Sequence, residues 1–185
     1  MTYRISVRRS IAAIILAATA GCKDQMDTDP TASSPKRNAV TACPDVDFVL
    51  ELAGPGLANP RAFTYRELGA MEMVRLDEVL MRKSHEDDET THWIGPAIGD
   101  LLERCGLKEG DMILTLEAAD GYEIEASLAD MKDAVVALQN GEGRWLVDLD
   151  ADLPVKLVPP HLPGNFWVMN PTRIHVALVT DKTGE

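Results

Sequence analysis

The densest run of metal-capable side chains is His85-Glu86-Asp87-Asp88-Glu89-Thr90-Thr91-His92. Its imidazoles suit zinc or copper, and its carboxylates suit calcium. The spacing fits neither a zinc-binding helix motif nor an EF-hand loop, and a solvated acidic loop accounts for the same residues. His161 and His175 stand too far off in sequence to be assigned as ligands. The cysteines are Cys22, Cys43 and Cys105. Cys22 follows Thr19-Ala20-Gly21 at the end of a short apolar run, the setting of a lipidated cysteine. With Cys22 acylated, Cys43 and Cys105 remain, and an oxidising compartment permits a disulfide between them. Cys105 also lies on an apolar stripe, where a cysteine serves as a small buried hydrophobe.

The elements that position such groups are written most clearly after His92. Gly95 and Pro96 are expected to start a helix, glycine at the entry turn and proline at the first helical position. Ile98, Leu101, Leu102 and Cys105 then recur at helical spacing as one buried face, and Gly106 stops the helix. Upstream, 47–53 reads as a strand broken by Gly54-Pro55-Gly56. Thr64 and Glu67 form a capping box for a short helix. The stretch 73–81 alternates as a strand, with Val74, Leu76, Glu78 and Leu80 on the more apolar side. Downstream, 112–118 and 122–126 form a hairpin around Asp120-Gly121, and Ser127 caps a short turn at 128–131. The run 134–138 suits a strand buried on both faces. Strands at 145–149, pairing back across the Asn140-Gly141 turn, and at 155–158, 166–168 and 174–179 complete the set. The expected class is α+β, with mixed, mostly antiparallel sheets and a few short helices.

The succession Trp93-x-Gly95, Leu101-Leu102, Asp120-Gly121-Tyr122, Asn140-Gly141, Leu153-Pro154-Val155-Lys156-Leu157-Val158-Pro159, Trp167-Val168 and Arg173-Ile174-His175-Val176 resembles the molybdopterin-binding domain of the sulfite oxidase family. That family's exported bacterial members include the periplasmic methionine sulfoxide reductase. The resemblance spans about Val46 to Val179. It implies a pterin cofactor whose molybdenum takes a cysteine thiolate, near Met81 to Lys83 in this chain. No cysteine stands between Pro44 and Arg104, so the metal ligand is missing. The resemblance further implies a cofactor-binding region at Trp93, Tyr122, Lys156, His161 and Asn165. Arg82, Lys83, Arg144 and Arg173 join Lys156 as candidate phosphate-binding cations. Each of these residues has a plainer reading as a packed aromatic, a loop residue or a solvent-facing strand edge. No catalytic residue and no metal ligand is assigned.

The chain has 185 residues, 45% of them hydrophobic, 26% charged, and a formal net charge of −12. This suits one globular domain with an acidic surface that repels nucleic acid and anionic lipid headgroups. Arg4, Arg8 and Arg9 precede an apolar core from Ile11 to Ala18, an export signal too short to span a bilayer, which takes about 20 residues. Residues 1–21 are therefore read as a lipoprotein signal peptide and 22–44 as a flexible, polar tether. A pterin-binding-like domain follows over 45–180, with a tail at 181–185. Lipidation at Cys22 places the domain facing the periplasm, and Lys23 after it favours the outer membrane. The expected function is a non-catalytic binding or accessory module without a cofactor, partnered by a small ligand or a periplasmic protein. The alternative is a molybdopterin-dependent periplasmic oxidoreductase.

Overall fold

The computed structural model describes residues 42–81 and 88–179. The leader, Cys22, most of the tether, Arg82, Lys83, His85 and the tail lie outside the described residues. Strands β1 (Val49–Ala53) and β2 (Arg61–Thr64) precede helix α1 (Tyr65–Gly69). β3 (Val74–Met81) and β4 (Glu89–Gly95) then lead to α2 (Ile98–Arg104). Next come β5 (Met112–Ala118), β6 (Glu123–Ser127), α3 (Leu128–Met131), β7 (Val135–Ala137) and β8 (Gln139–Asn140). The last described elements are α4 (Leu146–Leu149), β9 (Lys156–Val158), a 3-10 turn at Gly164–Phe166, β10 (Val168–Met169) and β11 (Pro171–Leu178).

A five-stranded sheet has the order β2-β1-β11-β5-β6, parallel between β1 and β11 and antiparallel elsewhere. Two three-stranded antiparallel sheets, β10-β9-β7 and β3-β4-β8, complete the fold. The class is α+β, as expected from the sequence. Among the described residues no helix is long and apolar enough to cross a membrane.

Two hydrophobic cores result, and the small sheet carrying β7 divides them. Ala134, Val136 and Leu138 face the main core, while Val135 and Ala137 face a second one with Val79, Trp93, Leu146, Val158 and Trp167. A strand with apolar partners on both sides needs an unbroken apolar run, which is why 134–138 carries no polar residue. The stripe of α2 enters the main core: Ile98, Leu101, Leu102 and Cys105 are fully buried with Leu50, Leu114, Leu116 and Val176. The helix stops in a Schellman arrangement, with Gly106 N–H donating to the Glu103 carbonyl and Leu107 N–H to that of Leu102. Gly106 has φ +67°, the left-handed conformation such a stop requires. The capping box is present: Glu67 N–H donates to Thr64 Oγ1 at 3.3 Å, and Thr64 N–H to Glu67 Oε2 at 2.8 Å.

Several expectations are corrected by the structure. Gly95 ends β4, and α2 begins only at Ile98, after Ala97. The glycine is needed there because a Cβ would lie 1.9 Å from the Val136 carbonyl oxygen, so close is the approach of β4 to β7. Trp93 belongs to the second core, apart from the α2 stripe. The alternation in β3 reverses half-way. A register shift between Leu76 and Val79, with Glu78 at φ +55°, turns Val79 inward and leaves Leu80 exposed. Residues 145–149 are not a strand, since only the bridge of Trp145 to Gln139 forms before α4 begins. Residues 164–166 form the 3-10 turn, which delays the next strand to Val168. Cys43 and Cys105 are both free thiols.

Candidate functional site

A cleft of about 450 Å³ opens where β3, β4 and the turn after β8 meet the start of β9. Its floor is the face of Trp93, with the Lys156 Nζ 4.2 Å from the ring centroid. Both residues are held from behind. Trp93 Nε1 donates to Thr91 Oγ1 at 2.8 Å, and Thr91 in turn donates to the Val79 carbonyl at 3.1 Å. On its inner side Trp93 meets Trp167 edge to face, with centroids 6.1 Å apart. Pairing of β9 with β7 and β10 fixes Lys156, register to register, between Ala137 and Met169. Burial pushes its ammonium below the usual lysine range, an effect partly offset by the carboxylate of Glu89.

The rim is a polar network. Arg75 donates through Nε to Asp77 Oδ1 at 2.8 Å and through a guanidinium nitrogen to the Gly141 carbonyl at 2.8 Å. His92 Nδ1 lies 3.1 Å from Asp77 Oδ1 and 3.2 Å from the Glu78 backbone nitrogen. Desolvation, the largest single influence on Asp77, acts to raise its pKa. The hydrogen bonds and charges of Arg75 and His92 outweigh it and hold the carboxyl below the usual aspartate range. The Asn140-Gly141 turn closes the far side, with Asn140 Oδ1 accepting from the backbone N–H groups of Glu142 and Arg144. A side chain at Gly141 would strike His92, its Cβ falling 2.4 Å from the His92 Cβ.

Of the five residues expected to bind a cofactor, the cleft gathers Trp93 and Lys156, and it adds Glu89 and His92 from the acidic run. Tyr122 and Asn165 meet each other elsewhere, the tyrosine hydroxyl donating to the Asn165 carbonyl at 2.5 Å. His161 sits in a separate hollow with Leu80 and Pro160, its Nε2 3.9 Å from Asp133 Oδ2. Two candidate phosphate cations are already engaged: Arg144 with Glu142 at 2.6 Å, and Arg173 between Glu51 and Glu117 at 3.0 and 3.3 Å. Among the described residues no three of His, Cys, Asp and Glu gather as a metal site. Cys105 is sealed in the main core, and Cys43 packs against Gly69 of α1. Neither lines the cleft. Arg75, Asp77, Asn140 and the rim role of His92 escaped sequence reasoning. The turn signal at Asn140-Gly141 was legible, but not what the turn leans on.

The sulfane dehydrogenase SoxCD from Paracoccus pantotrophus superposes with a TM-score of 0.58 at 19% sequence identity. The chain shares the fold of the matched part of that protein. The match covers 70% of this chain and 38% of the dehydrogenase chain, so this protein spans well under half of its structural neighbour. No family model matches the sequence, and no curated protein matches it.

Proposed function

We propose that this protein is an exported, lipid-anchored binding or accessory module built on a sulfite-oxidase-type pterin-binding fold, and that it performs no molybdenum chemistry. The fold shared with a sulfane dehydrogenase supports the pterin-type reading. The observation that carries the non-catalytic part is the placement of thiols. A pterin-bound molybdenum in such a site takes a cysteine thiolate from the protein, and neither Cys43 nor Cys105 lines the cleft. The remaining cysteine, Cys22, lies in sequence before the described residues. The cleft offers the Met81 thioether, an amine, an imidazole and carboxylates, a donor set that does not replace a thiolate. Among the described residues its cations are also engaged, with Arg75 bound to Asp77 and Lys156 stacked on Trp93. The residues present therefore do not fit the metal-bearing cofactor, and a small organic ligand or a periplasmic protein is the better occupant.

Purification of the full-length chain from its native host, followed by elemental analysis and fluorescence of extracted pterin, tests this. We expect molybdenum and pterin far below one per chain. Stoichiometric molybdenum would return the protein to the alternative, an oxidoreductase in which another group completes the metal shell. The shared fold with an oxidoreductase is what favours that second reading.

The anchor is tested apart from the cleft. The basic leader and Gly21-Cys22 support lipidation at Cys22. Cys22→Ala should then release soluble or uncleaved protein, and unchanged membrane partition would exclude the anchor. The acidic chain gives no support to nucleic acid as a partner.

A further inference from the structure

The rim of the cleft holds two contacts that one nitrogen cannot satisfy together. His92 Nδ1 is 3.2 Å from the Glu78 backbone N–H donor and 3.1 Å from the carboxylate oxygen of Asp77. A ring nitrogen with a free lone pair accepts from an N–H and repels a carboxylate. A ring nitrogen that bears a proton does the reverse. Glu78 is also a non-glycine residue at φ +55°, at the bulge where β3 changes register against β4. Such a conformation persists only while surrounding contacts hold it, and the bond from its N–H to His92 is one of them.

We propose that His92 is a proton-operated latch on the β3 bulge, and that its charge state sets the shape of the cleft. In the neutral ring the proton resides on Nε2, and Nδ1 accepts from Glu78. Asp77 is retained by Arg75, whose Nε donates to the same carboxylate oxygen at 2.8 Å. When the ring gains its second proton, Nδ1–H donates to Asp77, and Glu78 N–H loses its acceptor. Histidine is the side chain that makes this change between about pH 5 and 8. The charged groups around the ring are Arg75, Asp77 and Glu78 of β3, Glu89 of its own strand, Glu142 of the turn after β8, and Lys156 of β9. His92 is 42% exposed, so solvent delivers the proton without any opening of the fold.

The consequence travels along the β3–β4 pair. Beyond the bulge, Val79 pairs with Thr91, Leu80 with Thr90 and Met81 with Glu89. Met81, Glu89, Thr90 and Thr91 line the cleft, and Val79 plugs the second core. Release of the Glu78 N–H loosens one of the contacts that hold the bulge and the register beyond it. The cleft wall then relaxes on acidification. The latch stands on the rim geometry, whether the cleft takes a small ligand, a pterin or nothing.

Nuclear magnetic resonance of the isotopically labelled, full-length chain tests the latch over a titration from about pH 8 to 5. At the alkaline end the His92 ring should report the Nε2–H tautomer. On acidification the Glu78 amide proton should shift upfield with the midpoint of the His92 ring, and the Met81 and Glu89 amides should follow. In His92→Asn, whose Oδ1 takes the place of Nδ1 and accepts the Glu78 N–H at any pH, that titration should vanish while the rest of the spectrum is retained. A Glu78 amide that ignores the His92 midpoint, a neutral ring protonated on Nδ1, or an unchanged titration in His92→Asn would each overturn the proposal.

Discussion

Lys156 shows how one side chain is pulled in two directions. Its ammonium rests over the Trp93 ring at 4.2 Å, a contact worth about 0.5–2 kcal/mol. Its burial penalises the charged form, so its folded pKa lies below the unfolded value of about 10.4. The unfolded chain therefore holds the proton more tightly, and native stability rises with pH up to that unfolded value. Lys156→Met keeps the stem and removes the charge. Its stability relative to the parent should decline as pH rises from about 7 to 10, read by urea unfolding at each pH. A difference independent of pH would show that the amine is fully hydrated. Tyr65 offers a second test. Its hydroxyl is buried and has no hydrogen-bond partner among the described residues, and burial, helped by Cys43 and Asp148, pushes its pKa well above the usual tyrosine range. Leaving such a group unpaired costs about 1–3 kcal/mol. Tyr65→Phe should accordingly be neutral or stabilising, and a clear loss of melting temperature would reveal a hidden partner.

Among the elements, α1 and α2 were specified by local chemistry and β3 was not. The capping box of α1 lowers the Glu67 pKa, chiefly through the Thr64 backbone bond, then the Thr64 side chain. Folded Glu67 thus titrates below the unfolded value of about 4.3; its contribution is complete above that value and lost as pH falls through the folded one. Thr64→Ala should cost about 1 kcal/mol near neutral pH, and the gap to the parent should narrow as acidification protonates Glu67. Leu101, fully buried on α2, should cost about 2–5 kcal/mol on replacement by Ala. A thermal shift indistinguishable from the parent would contradict the packing. In β3, by contrast, period-two reasoning assigned Glu78 and Leu80 to the inner side. The bulge shifts the count by one, and no residue in the strand announces a bulge because Glu78 is not a glycine.

At the scale of the molecule, the two cores meet across β7, whose neighbouring side chains point into different cores. The whole chain carries a formal charge of −12. Self-repulsion of that size destabilises the compact state and is screened over about 10 Å at 0.1 M salt. The melting temperature should rise as sodium chloride is raised from about 0.01 to 0.3 M. A flat or falling response in differential scanning calorimetry would mean that the local ion pairs around Arg173 and Arg75 dominate.

The sequence by itself determined what is local. The α+β class, the capping box at Thr64, the stop at Gly106, the apolar stripe of α2 and the doubly buried run at 134–138 each arise from neighbours along the chain. It also showed that the thiolate expected near Met81 is missing, since that needs only the identity of residues. The tertiary structure alone decided the rest. Gly95 is required by the backbone of Val136, 41 positions away, and Gly141 by the ring of His92. Trp93 and Lys156 share a cleft because β4 and β9 both border β7, whereas Tyr122, Asn165 and His161 are drawn to other parts of the surface. Contacts between residues remote in sequence leave no periodicity and no composition signal, so the cleft rim of Arg75, Asp77, His92 and Asn140 became visible only once the strands were paired.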